Sequence, residues 1–455
     1  MAKSICKLIV TLVVSILIAN VLMISVYGIP TDRMFSHAKA NADLFGNSYI
    51  DTWAPGIPSA TLSYSTDAIM INNAIYQDNK SSVYNAMMNP RYEDGTGNVA
   101  NSLFQVLNYD KLQDIKPQRA VMTPVDSFRD DDNTAHELET MYYPRYWHGY
   151  LLFLKPMLLV LDVSEIKLLM MAVQILLAAI TLFLINRKIG TGVAFAFLTS
   201  LIVLNPVTAA LTFQENTIYI LTLICAFLIL MFNDRLIRKD NYCVYFIIWG
   251  SVTCFFDFLT YPLVTLGIPL CIVVLLNHNS FRTSFLNIIK CSAAWSIGYV
   301  GLWLGKFVSC TIVTDYNLLV NSAKSVLFRM GVDNLGNDQL DTTFLTALKI
   351  NIFPIINWIS LLIILIVIVA CIVLYKYGYR REPDKGRFAC LLLLSLYPIV
   401  WYAGTKNHAY IHYYMTYREL AITWFCIASI ALYKWEKTAL SHQDIIANTS
   451  DKDVL

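Results

Sequence analysis

Residues Leu8–Val26 read LIVTLVVSILIANVLMISV and contain no charged side chain. An apolar run of this length can cross a bilayer as a helix. The chain is then polar from Gly28 to Tyr146, and apolar segments resume at Tyr150. A polar segment this long, held between membrane helices, is neither a tight turn nor a linker. It predicts a folded extracytoplasmic loop that carries chemistry or contributes to it.

The overall composition is typical of a multi-pass membrane protein. Apolar residues make up 56% of the chain, charged residues 15%, and the mean hydropathy is +0.52. Soluble globular proteins are less apolar, so membrane lipid is the first expected partner. A net charge of +2 without a basic face argues against a nucleic-acid partner. None of the ten cysteines lies between Gly28 and Tyr146, so we interpret them as packing residues and expect no disulfide framework in the loop.

At about 20 apolar residues per span, the sequence predicts an all-α polytopic membrane protein with about ten transmembrane helices. Lys3 and Lys7 precede the first apolar run, which is longer than a signal-peptide core and lacks a small-x-small cleavage site. We therefore expect an uncleaved first helix. The predicted segments are Ile5–Tyr27, Ile166–Ile185, Gly192–Leu204, Asn216–Phe232, Tyr242–Phe256, Tyr261–Leu276, Cys291–Ser309, Ile352–Tyr375, Phe388–Tyr402 and Leu420–Tyr433.

The distribution of basic residues predicts the orientation of the chain. Every second connection between predicted helices is rich in Lys and Arg, as the positive-inside rule requires of cytoplasmic loops. Both termini are therefore expected in the cytoplasm. We divide the chain into a first transmembrane helix (1–27), an extracytoplasmic loop with amphipathic helices (28–146), a membrane helix bundle (147–433) and a cytoplasmic tail (434–455). The bundle has outward loops near 310–351 and 404–419, which should meet the large loop on one face of the membrane.

Five short motifs resemble one known superfamily when they are taken in order. They are TDRMFSHA (Thr31–Ala38), YPRYWHGY (Tyr143–Tyr150), Ser164-Glu165-Ile166, NRKIG (Asn186–Gly190) and Leu204-Asn205-Pro206. Their order resembles that of the GT-C superfamily, the membrane glycosyltransferases that include the protein O-mannosyltransferases. In that superfamily a large extracytoplasmic loop follows the first helix, carries an acidic residue near its start and leads into the second helix through a Tyr-Pro motif.

The resemblance implies an activity, a donor and an acceptor. The chain would be an integral membrane glycosyltransferase that moves a sugar from a polyprenyl-phosphate donor to a glycan or protein acceptor. A cell-envelope glycan and a bacterial cell membrane are the expected setting. Asp32 lies where the superfamily places its acidic motif.

Two aspartates are candidate catalytic residues, because glycosyl transfer with inversion needs a carboxylate that takes the acceptor proton. Asp32 follows the outer end of the first helix, and Asp67 opens a second predicted helix in the loop. The alternative for both is a helix N-cap. His37, one turn beyond Asp32, is a candidate substrate contact or a surface histidine.

The donor phosphate requires cationic or hydrogen-bonding groups. The candidates are Arg145 and His148 at the end of the loop, Lys306 in a predicted helix, and His412 and Arg418 in the last outward loop. The alternative is an aromatic belt with snorkelling cations at the membrane surface. His408 and His412 have the spacing of metal ligands, but no third ligand is evident. Asp130–Asp132 is a candidate Mg²⁺ or Mn²⁺ site, with a solvated loop as its alternative.

Two other functions compete with the glycosyltransferase. A transporter or lipid flippase predicts internal repeats and broken helices at matched positions, and the sequence has no evident repeat. A polysaccharide polymerase for envelope glycan precursors would also be polytopic with outward loops. It would more naturally place its largest loop late in the chain, whereas here the largest loop follows the first helix.

Overall fold

The computed structural model describes residues 2–45, 50–95, 97–123, 137–238, 241–277, 279–333, 342–377 and 384–433. Of the residues described, 76% are helical. Its α-helices are α1 (Ala2–Tyr27), α2 (Asp32–Lys39), α3 (Tyr64–Ile75), α4 (Ser82–Met88), α5 (Val99–Leu107), α6 (Leu151–Leu158), α7 (Val163–Lys188), α8 (Thr191–Val203), α9 (Pro206–Leu211), α10 (Phe213–Ile237), α11 (Tyr242–Phe256), α12 (Val264–Leu276), α13 (Phe281–Thr314), α14 (Leu318–Met330), α15 (Phe344–Ile352), α16 (Trp358–Tyr377), α17 (Lys385–Ser395), α18 (Tyr397–Gly404), α19 (Lys406–Ile411), α20 (Tyr413–Thr416) and α21 (Leu420–Leu432).

Long apolar helices make the chain a membrane-integral, multi-pass protein. Within the described ranges, five helical stretches are long and apolar enough to cross a bilayer, namely Ile5–Tyr27, Val163–Lys188, Phe213–Ile237, Phe281–Thr314 and Lys385–Gly404. A sixth is added if Phe344–Ile355 and Trp358–Val373, which are bent by 79° at their junction, form one span. The all-α membrane class is therefore confirmed, whereas the number of ten spans is not.

The shortfall in spans has a simple physical cause. Helices α8, α11 and α12 are apolar but contain only 13, 15 and 13 residues, fewer than an untilted span needs. A proline interrupts one further predicted segment. Pro354 lies close to the 79° bend between α15 and α16. Because proline has no backbone N–H group, it removes a helical hydrogen bond and weakens the helix at this point.

Glycines bring two central helices of the bundle into direct backbone contact. A Cβ atom added to Gly250 of α11 would overlap the carbonyl oxygen of Trp295 in α13. A Cβ atom on Gly298 would in turn overlap the carbonyl oxygen of Ile247. Ser251 Oγ donates across the same contact to Gly298 O at 3.2 Å. Small residues at membrane helix contacts permit this close approach, which stabilises the pair through packing.

The Gly28–Tyr146 segment contains two small β-sheets as well as helices α2–α5. Strands β1 (Ile50–Thr52) and β2 (Thr61–Ser63) pair in an antiparallel sheet. In the second sheet, β5 (Glu139–Tyr142) lies between β3 (Pro90–Glu93), which is antiparallel to it, and β4 (Ala120–Met122), which is parallel. The sequence analysis expected amphipathic helices here and did not anticipate the strands, because three or four residues are too few for a recognisable alternating pattern.

The Gly28–Tyr146 segment packs directly on the helices that follow it. Asn205 Nδ2 donates to Ser59 O at 2.7 Å, and Trp303 Nε1 donates to Arg145 O at 2.5 Å. These contacts join the segment to the loop before α9 and to α13. The expectation of a folded loop is consistent with them, since buried polar groups of the segment find their partners on the bundle.

Candidate functional site

A cavity of about 190 Å³ lies where the Gly28–Tyr146 segment meets the bundle. We call it the polar cavity, because guanidinium, imidazole, carboxylate, hydroxyl and phenol groups line it. The lining residues are Ser65, Thr66, Ile69, Arg91, Glu93, Gly97, Val99, Thr123, Met141, Tyr143, Arg145, Tyr146, Phe258, Leu259, Thr260, Arg329, His408, His412, Tyr414 and Met415.

Segments far apart in sequence meet at the polar cavity. Arg91 lies within the large loop and Arg145 lies at its end. Arg329 lies on α14, and His412 lies between α19 and α20. The three segments predicted to face outward therefore contribute side chains to the same cavity. The corner after α11 adds Leu259 and its neighbours. This convergence makes the polar cavity the best candidate for the functional site.

One wall of the polar cavity is formed by strand β3. Arg91 and Glu93 are two residues apart on this strand, so their side chains lie on the same face. Both are buried, and Arg91 NH2 lies 3.1 Å from Glu93 Oε2 in an ion pair. Ser102 Oγ lies 3.3 Å from the second carboxylate oxygen, Oε1. Glu93 is the single carboxylate among the described lining residues.

The opposite wall contains Arg329 on α14 and His408 on α19. Arg329 NH1 lies 2.8 Å from His408 Nδ1, and its Nε lies 3.5 Å from Ser325 Oγ. His408 Nε2 lies 2.5 Å from Leu259 O. Burial lowers the pKa of His408 well below its ordinary value, and the nearby His412 and Arg329 lower it further, so the imidazole is neutral at physiological pH. No carboxylate lies within ion-pair distance of Arg329 in the described part of the chain.

His412 lies beside His408, with 4.8 Å between the ring centroids. Burial, followed by the charge of Arg329, lowers the pKa of His412 to about 3. The ring is therefore neutral and can accept or donate one hydrogen bond within the cavity. The described residues contain no group of three or more His, Cys, Asp or Glu side chains arranged to hold a metal ion.

Arg145 and two tyrosines form the surface between the two walls. Arg145 NH1 donates to Thr123 O at 3.1 Å and to Asn321 Oδ1 at 3.2 Å. Its guanidinium carbon lies 5.3 Å from the ring centroid of Tyr143. Burial lowers the pKa of Arg145, which the nearby tyrosines partly oppose. Tyr146 is buried, and burial raises the pKa of its hydroxyl group.

An apolar groove of about 500 Å³ adjoins the polar cavity. The two share Leu259 and Arg329 as lining residues. The groove runs between α12, α13, α14 and α18 and is lined mainly by Leu263, Leu266, Trp295, Tyr299, Val300, Trp303, Val326, Met330, Tyr397, Val400 and Trp401. Val400 is 68% exposed and Val300 is 49% exposed, so the groove opens on the outside of the bundle.

The predicted catalytic residue Asp32 lies outside the described lining of the polar cavity. It is exposed at the first position of α2, and its Oδ1 accepts a hydrogen bond from Gln113 Nε2 at 2.7 Å. Thr31 precedes the helix without a side-chain capping bond. His37, one turn further on, has Nδ1 2.7 Å from Leu158 O. The structure thus gives His37 an internal partner and gives Asp32 a partner at the surface.

Asp67 is a buried ion-pair residue in the first part of α3. Its Oδ2 lies 2.8 Å from Lys167 Nζ on α7, and its Oδ1 accepts from the backbone N–H of Phe213 at 2.8 Å. Burial raises the pKa of Asp67, and the charge of Lys167 opposes this. Asp67 does not line the polar cavity in the described structure, although its neighbour Thr66 does.

Three other predicted phosphate-binding residues also have internal partners. His148 is held between Tyr150 OH and Tyr143 O, both at 2.8 Å, and burial lowers its pKa well below the ordinary value. Lys306 Nζ donates to Ala86 O at 2.6 Å and to Asn89 Oδ1 at 2.8 Å.

Arg418 is the third of these residues and is completely buried. Its NH2 lies 2.7 Å from Glu215 Oε2, and its Nε donates to Leu204 O at 2.9 Å. Of the eight site residues predicted from the sequence, Arg145 and His412 are the two found in the described lining of the polar cavity.

Sequence reasoning missed Arg91, Glu93 and Arg329. Arg91 and Glu93 alternate on a strand, so a strand prediction for Pro90–Glu93 would have placed both side chains on one face. Arg329 near the end of α14 carries no comparable local signal, because a basic residue in the last turn of a helix is common. The aspartates at 130–132, proposed as a metal site, lie outside the described residues.

Comparison of the chain with family models, with curated proteins and with solved structures finds no match. The geometry of the polar cavity and the apolar groove is therefore the basis for assigning a function.

Proposed function

We propose that the protein is an integral membrane glycosyltransferase of the GT-C type, which moves a sugar from a polyprenyl-phosphate donor to a cell-envelope acceptor. The observation that carries this proposal is that the polar cavity and the apolar groove are adjacent and share Arg329 and Leu259 as lining residues. A polyprenyl phosphate has a charged head and a long apolar tail. The groove suits the tail, and Arg329 is positioned at its mouth to bind the phosphate.

The proposed reaction uses groups that line the polar cavity. The acceptor hydroxyl attacks the anomeric carbon of the sugar, a new C–O bond forms, and the bond from that carbon to the phosphate oxygen breaks. Glu93 takes the proton of the hydroxyl, and Arg329 stabilises the departing polyprenyl phosphate. Asp32 remains the base predicted from sequence, but Glu93 is favoured because it lines the cavity.

The proposed membrane arrangement keeps the topology expected from the basic loops. Ten membrane-crossing segments, including the shorter α8, α11, α12 and α21, would leave both termini in the cytoplasm of a bacterial cell. The polar cavity would then face the extracytoplasmic side, where the large loop meets the outward loops. This arrangement allows the donor lipid to enter sideways through the groove.

A lipid flippase is the second candidate function, because it would also bind a charged lipid head beside an apolar groove. It needs no proton acceptor at the head-group position. The carboxylate of Glu93 inside the polar cavity therefore favours group transfer over transport.

The test compares the envelope glycan of a host that lacks the gene with the same host carrying the wild type or Arg329→Gln, at matched protein levels in the membrane. Mass spectrometry should detect a sugar residue that is present with the wild type, absent from the deletion and strongly reduced with Arg329→Gln. An envelope glycan that is unchanged by deletion would overturn the glycosyltransferase proposal and favour transport.

A further inference from the structure

Arg91 has unused hydrogen-bonding capacity inside the polar cavity. Its side chain is 5% exposed, and NH2 is paired with Glu93. Nε and NH1 are buried and have no hydrogen-bond partner among the described residues. A buried cationic donor without an acceptor is costly, and such groups in native proteins call for an explanation. A ligand that supplies acceptor atoms to these two nitrogens would be such an explanation.

Two aromatic rings separate Arg91 from Arg329. The guanidinium carbon of Arg91 lies 5.3 Å from the ring centroid of Tyr143, and that of Arg329 lies 5.8 Å from the ring centroid of Tyr146. The two tyrosine rings are 5.5 Å apart between centroids. The cavity thus has a cationic group at each end of an aromatic wall. The end with Arg329 adjoins the apolar groove, whereas Arg91 does not line the groove.

The free side of Arg91 is suited to an anion. Nε and NH1 can each donate a charge-assisted hydrogen bond, and the several oxygens of a carboxylate or phosphate are strong acceptors for both. A neutral hydroxyl group would satisfy only one of the two donors. Since Arg329 is closer to the groove, a lipid phosphate held there leaves Arg91 for a second, water-soluble molecule.

We propose that Arg91 binds an anionic group, a carboxylate or a phosphate, on the acceptor, so that the acceptor is an acidic glycan. This inference rests on the proposed function and names its acceptor class. Tyr143 gives the acceptor sugar an aromatic surface beside the anion site. Binding at Arg91 brings the acceptor next to Glu93, because the same guanidinium group contacts that carboxylate.

The test uses the full-length protein in phosphatidylcholine nanodiscs with three probes, which are glucuronate, glucose and polyprenyl phosphate. Binding is measured by equilibrium dialysis with labelled probes, without any sugar donor. The variants are Arg91→Gln and, as a matched control in the same sheet region, Arg119→Gln. The Arg119 side chain is 70% exposed, is paired with Glu139 and does not line the described cavity.

The wild type should bind glucuronate and should bind glucose much more weakly. Arg91→Gln should weaken glucuronate binding by about tenfold or more, as expected for a lost charge-assisted pair, and should leave polyprenyl phosphate binding within about twofold. Arg119→Gln should bind all probes as the wild type does. Equal glucuronate affinity in the wild type and Arg91→Gln would overturn the proposal, as would a loss of polyprenyl phosphate binding instead, which would assign Arg91 to the lipid head group.

If Arg91→Gln does not yield a monodisperse protein, Arg91→Lys replaces it, because lysine keeps the charge beside Glu93 but lacks the planar fork. Inorganic phosphate should also compete with glucuronate on the wild type, and absence of competition counts against an anion site. Since no sugar is transferred in these measurements, they are independent of the envelope comparison. An unchanged envelope glycan together with Arg91-dependent glucuronate binding would refute the glycosyltransferase while the anion site stands.

Discussion

Arg329 and His408 hold each other in one defined arrangement, with NH1 2.8 Å from Nδ1. A guanidinium group only donates hydrogen bonds, so Nδ1 must accept. The proton of the neutral ring is then on Nε2, which lies 2.5 Å from Leu259 O and donates to it. His408 is therefore a positioning residue, which links the cation at the groove mouth to the backbone of the corner after α11.

Replacement of His408 should act through Arg329. In His408→Asn the amide oxygen takes the approximate position of Nδ1 and keeps an acceptor for Arg329, whereas His408→Leu removes it. We expect His408→Leu to weaken polyprenyl phosphate binding by about fivefold to tenfold and His408→Asn by less than about twofold, since one hydrogen bond to a charged group is at stake. Dialysis in nanodiscs measures both. Equal effects of the two variants would show that the hydrogen-bond acceptor offered to Arg329 at position 408 does not affect polyprenyl phosphate binding.

The identity of the base can be decided by two isosteric changes. Glu93→Gln should reduce the rate of sugar transfer by about 10² to 10⁴, the usual contribution of general base catalysis, while polyprenyl phosphate binding is kept. Asp32→Asn should leave the rate nearly unchanged, because it affects an exposed carboxylate that contacts Gln113. The measurement is transfer to the envelope glycan per molecule of protein. The opposite result, with loss in Asp32→Asn alone, would restore the base predicted from sequence.

The buried pair Asp67–Lys167 should matter for stability and not for chemistry. Breaking a buried ion pair from one side leaves an unpaired charge, so Asp67→Asn should lower the free energy of unfolding by about 3 to 5 kcal/mol. The double variant Asp67→Asn/Lys167→Met should recover part of that loss. Thermal unfolding in detergent measures the stability, and transfer per folded molecule should equal that of the wild type. A stable Asp67→Asn protein without transfer activity would instead make Asp67 catalytic.

Most of the helical framework could be predicted from the sequence, because apolar runs report burial in lipid directly. The helix α11 begins and ends at Tyr242 and Phe256, where the sequence analysis placed its segment. The number of spans was harder to predict. Helix α8 is too short for an untilted span, and the predicted segment that begins at Ile352 is divided by the bend near Pro354. Helix length and helix bending depend on local geometry, which a hydropathy pattern does not report.

The site was only partly predictable, since charge in an apolar context identifies buried residues without giving their roles. Lys306 was singled out in this way, and its hydrogen bonds to Ala86 O and Asn89 Oδ1 account for its burial. Arg91 was overlooked because its role follows from a strand of four residues. Its separation from Arg329 by two tyrosines is a tertiary property that only the fold reveals.

Acidification should destabilise the region around the polar cavity. The folded-state pKa of His412 is lowered to about 3 and that of His408 is also lowered, whereas an unfolded histidine has its ordinary value near 6.5. The unfolded chain therefore binds more protons below pH 6.5, and stability present above that pH is lost as the pH falls toward 3. Each histidine contributes at most about 1.4 kcal/mol per pH unit in this window.

The melting temperature in detergent should thus fall between pH 7.5 and pH 5, and His412→Gln should show a smaller fall than the wild type. Glutamine keeps a polar side chain of similar length and does not titrate. An identical pH dependence in the variant would mean that the His412 imidazole is protonated as readily in the folded protein as in the unfolded chain.

The packing of α12 on α21 can be tested through two thiols. Cys271 Sγ and Cys426 Sγ are 3.0 Å apart, and both side chains are buried. Copper phenanthroline, an apolar oxidant that enters membranes, should remove two electrons and two protons and join them as a disulfide. Mass spectrometry of the unreduced digest should find the linked peptides, and Cys426→Ser should abolish them. Linkage of Cys271 to Cys291 instead would contradict the arrangement of α12 beside α21. Helix α21 directly follows the segment that carries His408 and His412. A Cys271–Cys291 linkage would therefore also contradict the placement of these two histidines in the polar cavity.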